Sequence, residues 1–277
     1  MTLSAAFSVL HVLQQEMLLF CATAFLISAI DDLSIDALYF KYRLIRSRRF
    51  YRFQLPMRSV DLPLPARPGC LAVFVPAWQE SAVIGTMLAH CTRQWAQHPH
   101  GYRLFVGCYP NDTATIASVI TAAKVNPRII LCLVDHPGPT SKGDCLNHIW
   151  RTMQDFSRRS GEQYKAVVLH DAEDVVHADE LRIHDYLIER ADMVQIPVMP
   201  IPVAHSPWVS AHYADEFAEA HAKLLTVREQ IGASVPAAGV GCAFSMTAMV
   251  RRVRDNGGMP FDANCLGEDS ELGLAIR

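Results

Sequence analysis

Residues 164–174 read YKAVVLHDAED. The apolar run YKAVVLH has the length and β-branched content of a strand. It gives way abruptly to Asp171, Glu173 and Asp174, three carboxylates within four positions. Acids at a strand's carboxyl end matter most if the strand lies in a parallel sheet, because such sheets bind ligands outside that edge. The flanking sequence therefore decides what the motif means.

Going outward, strands and helices alternate. CLAVFV (70–75) reads as a buried strand stopped by Pro76, and Val83, Ile84, Met87, Leu88 and Cys91 then recur on one helical face. YRLFVGCY (102–109) predicts a second strand, residues 112–126 a helix, and RIILCLVD (128–135) a third strand. A helix over 142–159, with Cys145, Leu146, Ile149 and Met153 inward, leads into the opening stretch. A helix near 179–190 and a fifth strand, DMVQIPV (192–198), follow it. This alternation predicts right-handed crossovers and an α/β fold with a mainly parallel sheet flanked by helices. A long helix at about 210–231, a glycine-rich stretch AAGVGCAFSM (237–246) and a last helix opened by Glu268 and Asp269 complete the chain. The chain stops at Arg277 inside a helical pattern with no capping signal, so the domain is expected to be C-terminally incomplete.

Residues 1–53 differ from the rest. MLLFCATAFLISAI (17–30) is an unbroken run of fourteen apolar or small residues, short of the roughly 20 that span a bilayer. KYRLIRSRRFYR (41–52) then supplies Lys41, Arg43, Arg46, Arg48, Arg49 and Arg52, the basic flank expected on the cytoplasmic side. The reading is a membrane-associated helical segment over 1–53, spanning or interfacial. Residues 54–69 carry Pro56, Pro63, Pro65 and Pro68 and read as a linker, so a globular domain is expected over 70–277. The net charge of −3 gives the 277-residue chain no general attraction for nucleic acid. Eight cysteines without a CxxC pair argue against a disulfide framework or a structural zinc site, and fit a cytosolic domain. His170, His177 and His184 read as ordinary surface or lining residues.

Five groups of residues could carry chemistry, and each also has a plain structural reading. Asp171, Glu173 and Asp174 repel one another unless a cation sits among them, and oxygen ligands suit Mg²⁺ or Mn²⁺. The same acids could simply cap the next helix. Glu268 and Asp269 could supply a general base, or complement a helix dipole. Gly239 and Gly241 fail the dinucleotide pattern, because Phe244 stands where a third glycine is needed; they allow close backbone approach to a ligand, or form a turn. Asn111 and Asp112 could accept from a base or ribose, or cap a helix. Lys142 opens a helix, where it could hold phosphate or lie on the surface.

Taken in order, these segments resemble family 2 glycosyltransferases. VPAWQE (75–80) looks like the family's opening segment, Asn111-Asp112 like its nucleobase position, SKGDCLN (141–147) like its lysine element, and HDAED like its DxD element. GVGCAFSM resembles the acceptor-side segment, and GED (267–269) the motif that holds the catalytic base. The departures are Glu173 for an Asp, and Ser245 and Met246 for an arginine pair. More narrowly, YPNDTAT, HDAEDVVHADELR and the apolar N-terminus resemble the bacteriophage adsorption protein B group of bacterial inner-membrane transferases. The resemblance implies a GT-A, Rossmann-like fold and inverting transfer from a nucleotide-sugar donor, with UDP as the nucleotide. It implies a glycan or lipid-linked acceptor and a membrane partner, with the catalytic domain on the cytoplasmic side. Carried over, Asp269 and Glu268 are the catalytic candidates. Pro76, Ala77, Glu80, Asn111, Asp112, Lys142, Asp171 and Gly241 are the donor contacts, and Asp171, Glu173 and Asp174 the metal ligands. The other reading left open is a catalytically impaired scaffold or phage-adsorption component that keeps the fold.

Overall fold

A computed structural model describes residues 3–203 and 206–276, which fall into two compact units. The larger unit, residues 57–218 and 232–277, is built on one sheet. Its strands are β1 (Cys70–Pro76), β2 (Tyr102–Cys108), β3 (Ile129–Leu133), β4 (Tyr164–Leu169), β5 (Met193–Gln195) and β6 (Cys242–Ser245). They lie in the order β3-β2-β1-β4-β6-β5, with β1, β2, β3 and β4 mutually parallel. β6 runs antiparallel to both β4 and β5.

Two sequence expectations change here. β6 falls within the glycine-rich stretch and was not expected as a strand. Only Met193–Gln195 of the expected fifth strand pairs, and it reaches the sheet through β6 rather than by a parallel crossover. Three of the four residues of β6, Cys242, Ala243 and Phe244, are apolar and fully buried, but four residues are too few to display a period.

Both sheet faces are covered, and β1 explains why. Leu71, Val73 and Val75 point into one core, against α2 (Ile84–Gln94) and α3 (Thr113–Val125). Ala72 and Phe74 point into the other, with α4 (Lys142–Ser160). All five side chains are 0% exposed, as a parallel strand buried on both faces requires. Two of these helices start where a side chain satisfies a free N–H group. Asp112 caps α3 by accepting from Thr115 N, and Ser141 caps α4 by accepting from Asp144 N. Gly161, at φ 76°, ends α4 in the left-handed conformation. α5 (Glu180–Leu187) follows β4, α6 (Pro207–Glu219) follows β5, and α7 (Leu225–Gln230), α8 (Met246–Asp255) and α9 (Glu268–Ala275) complete the helices.

The segment before β1 is fastened to this unit. Backbone N–H groups of Ala66 and Arg67 donate to Glu189, Ser59 Oγ donates to Asp179, and Arg182 donates to the Leu62 carbonyl.

The smaller unit comprises residues 1–56 and 219–231. α1 (Leu3–Arg49) is one helix of 47 residues, far longer than the fourteen-residue apolar run at its centre. Its stretch Leu10–Arg49 is long and apolar enough to cross a membrane. Large apolar side chains such as Phe20 and Phe25, each 75% exposed, project from it. A π-helical turn, Ala220–Leu224, precedes α7 in this unit, and Lys223 pairs with Asp36 of α1 at 2.6 Å.

Candidate functional site

In the larger unit a cleft of about 290 Å³ opens at the carboxyl ends of β1 and β4. These are the strands at which the sheet's winding reverses, where open α/β sheets form a crevice. Pro76, Ala77 and Glu80 come to it from the end of β1, Lys142 from the start of α4, and Asp171 and Glu173 from the loop after β4. Trp78, Tyr109, Thr140 and Cys145 also line it. None of these four stands out in the sequence as a site residue; the one clue is that the aromatics Trp78 and Tyr109 fall at the ends of the first two strands.

Lys142 is the electrostatic centre. Its Nζ lies 2.6 Å from Asp171 Oδ1. Burial alone would lower its pKa, but the negative charges of Asp171, Asp269 and Glu268 outweigh that and raise it, so it stays an ammonium. Asp269, 98 positions after Asp171 in the chain (269 − 171), comes near Lys142 without being among the residues that line the cleft. Gly239 brings them together: a Cβ there would overlap Asp269 Oδ2 and lie 3.4 Å from Lys142 Nζ. At φ +77° this backbone also favours glycine. Glu268, by contrast, is 3% exposed and packs behind the N-terminus of α4, its Cβ 3.3 Å from where a side chain on Gly143 would begin. Burial, together with the charges of Asp269 and Asp171, raises its pKa.

The acidic loop after β4 divides its labour. Asp171 and Glu173 face the cleft. Burial and the neighbouring carboxylates of Asp171, Glu80 and Asp174 raise the Glu173 pKa. A divalent cation between these oxygens would relieve that repulsion, so the donor set suits Mg²⁺ or Mn²⁺. Asp174 turns away from the cleft. Its Oδ2 accepts from His170 Nδ1 at 2.7 Å and from the Asp171 N–H at 3.0 Å, so this carboxylate shapes the turn. His170, expected near the surface, is 3% exposed and also meets Glu180 Oε1 at 2.6 Å. Burial would lower the His170 pKa, but Glu180 and Asp174 raise it well above the usual imidazole value; in return His170 holds Glu180 low against its own burial. His184 is fully buried as well, whereas His177 is exposed.

Three expected donor contacts act at one remove. Asn111 clasps the backbone of Gly138, its Nδ2 donating to the carbonyl at 2.7 Å and its Oδ1 accepting from the N–H at 2.8 Å. Asp112 accepts from Gln79 N at 2.6 Å and from Thr115 N at 3.2 Å. Burial opposes its ionisation, but these bonds from Thr115 and Gln79 hold its pKa low. Gln79 thereby sits at φ 60°, an uncommon conformation for a side-chain-bearing residue, which turns the chain along the cleft wall. Gly241 extends the sheet, donating its N–H to the Leu169 carbonyl at 3.1 Å, and a Cβ there would press on Ile196. The glycine that meets the charged cluster is Gly239.

A sheet-edge crevice carrying paired acids and a lysine, with a further carboxylate from a late helix near that lysine, fits a glycosyltransferase of the GT-A architecture. The chain belongs to glycosyltransferase-like family 2, whose family model matches residues 68–277. Two curated relatives are each 39% identical to it over 258 residues: bacteriophage adsorption protein B of Escherichia coli strain K12 and bacteriophage N4 adsorption protein B of Escherichia coli O157:H7. The alignments cover 92% of this chain and 34% of each relative, so the chain spans about a third of their length. Among solved structures, a mannosyltransferase from Pyrobaculum calidifontis, in complex with GDP-Man and Mn²⁺, shares the fold with a TM-score of 0.50. It is 18% identical, and the match covers 87% of this chain and 61% of that one.

Proposed function

We propose that the protein transfers a sugar from a UDP-sugar, with inversion, to a glycan or lipid-linked acceptor at the bacterial inner membrane, with the cleft on the cytoplasmic side. The observation that carries this reading is the meeting of Asp171, Lys142 and Asp269 around Gly239. In this reading Pro76, Ala77 and Glu80 form the donor wall, while Asp112 holds that wall's backbone at Gln79 and Asn111 holds Gly138 of the β3–α4 loop, rather than touching the base. Asp171 and Glu173 would hold a Mg²⁺ or Mn²⁺ ion, which supplies positive charge against the diphosphate. Asp174 keeps the loop in shape for them. Lys142 holds phosphate oxygens at the N-terminus of α4, where backbone N–H groups also point outward. Asp269 takes the proton of the acceptor hydroxyl as its oxygen attacks the anomeric carbon. The bond from that carbon to the diphosphate breaks, and the nucleoside diphosphate leaves with the electron pair. Glu268, buried with a raised pKa, is the poorer base of the two.

The test is a titration of the purified protein with UDP-sugars, with and without Mn²⁺, joined to an Asp269→Asn variant. Donor binding should require the metal. The variant should keep donor binding and lose transfer by roughly 10²–10⁴-fold. Donor binding indifferent to the metal, or turnover retained by the variant, would argue against the assignment.

A further inference from the structure

The loop between β3 and α4 brings three metal-ligating side chains together outside the cleft, with a further carboxylate beside them. Asp135 and His136 follow β3 in the loop and His148 lies on α4, their ligand atoms all within 4.8 Å of one another, and Asp144 stands one turn before His148. His136 Nε2 lies 3.7 Å from Asp135 Oδ1 and 3.3 Å from Asp144 Oδ2. His148 Nε2 lies 3.4 Å from Asp135 Oδ1 and 3.9 Å from Asp144 Oδ1.

These spacings are long for hydrogen bonds, which run at roughly 2.7–3.2 Å. They suit ligands that share an ion: a tetrahedral site with bonds of about 2.0 Å keeps its ligand atoms about 3.3 Å apart. The outer contacts are also those of a metal site. His136 Nδ1 faces the Pro137 carbonyl at 3.4 Å, so Nε2 is the ring nitrogen turned toward the carboxylates. Asp144 Oδ2 is steadied by the Thr140 hydroxyl at 2.8 Å. Two imidazoles with one carboxylate favour a borderline ion such as Zn²⁺ over a hard ion such as Mg²⁺. A second cluster, His98, His100 and Asp185, is less suitable, because Lys165 Nζ already places a cation 2.5 Å from Asp185 Oδ1.

We propose that Asp135, His136 and His148, with Asp144 beside them, form a Zn²⁺-class site, separate from the cleft acids, that clamps the β3–α4 loop onto α4. The consequence for the cleft is indirect. Thr140, which bonds Asp144, also bonds the Tyr109 hydroxyl at 2.6 Å, and both residues line the cleft wall. The site therefore acts as a positioning element and takes no part in chemistry.

The experiment uses the full chain without an affinity tag, stripped with chelator and kept in excess Mg²⁺ to occupy oxygen-only sites. Zn²⁺ is then titrated against a chromophoric competitor. The chain should bind one tight equivalent. Asp135→Asn combined with His136→Gln, at solvent-accessible positions, should weaken that equivalent by at least roughly tenfold while the circular dichroism spectrum is unchanged. Asp171→Asn combined with Glu173→Gln should leave it intact. No tight equivalent in the parent chain, no change in the loop variant, or loss of the equivalent in the cleft variant would each overturn the proposal.

Discussion

Gly239 and His170 set the conditions for the cleft at single positions. A methyl group on Gly239 would overlap the Asp269 carboxylate and force a left-handed backbone on alanine. Gly239→Ala should therefore lower kcat about a hundredfold, the order expected when a reacting group is displaced by about an ångström, with donor affinity measured by titration close to the parent's. His170 lies beneath the acidic loop with its charge matched by Asp174 and Glu180. Removing it with His170→Gln leaves buried carboxylates without their partner and should cost roughly 3–5 kcal/mol in chemical denaturation. The sign of the pH dependence follows from the raised His170 pKa. The folded state holds that proton more tightly than the unfolded chain, whose imidazole titrates near 6.5. The parent's advantage over the variant should be full below pH 6.5 and disappear as pH rises through the folded value, which paired melts at several pH values would measure. Neither role was legible in the sequence. His170 reads as the first letter of a polar motif, and nothing in a linear pattern indicates that Glu180, ten positions on at the start of α5, will neutralise it. Likewise Gly239 and Asp269 are 30 positions apart (269 − 239), and their contact exists only once β6 has paired.

The strand ends are the elements the sequence disclosed most fully. VPAW, YPND and HDAED each follow an apolar run, and period and composition were enough to put them on one edge of a parallel sheet. The short strands were harder, because β5 and β6 acquire their identity from neighbours rather than from period. The division of work among polar residues was also hidden. Asp112 has the composition of a ligand and the geometry of a brace, joining the first turn of α3 to the Gln79 turn after β1. Asp112→Ala should destabilise the protein by about 1–2 kcal/mol through the lost cap and raise KM for the donor as the Gln79 turn relaxes. Asp112→Asn, which keeps a capping oxygen, should recover most of the stability. Denaturation curves and donor kinetics on the two variants separate the effects.

For the molecule as a whole, the surface of α1 makes a definite prediction. Phe20 and Phe25 lie within its most apolar stretch and are 75% exposed. If that stretch crosses a bilayer, arginine there should cost roughly 2.5–3.5 kcal/mol per substitution. Phe20→Arg with Phe25→Arg should then sharply reduce the fraction of protein that resists alkaline extraction from membranes; an unchanged fraction would place the helix at the surface instead. Between Leu3 and Arg49 there is neither proline nor glycine, the residues at which helices bend. The stretch Leu10–Arg49 would extend roughly 60 Å, about twice the thickness of a bilayer's hydrocarbon layer. Such a rod has no joint along its length. A tilt or rotation imposed at one end, by lipid or by a neighbouring helix, would be delivered to the other end instead of being absorbed on the way.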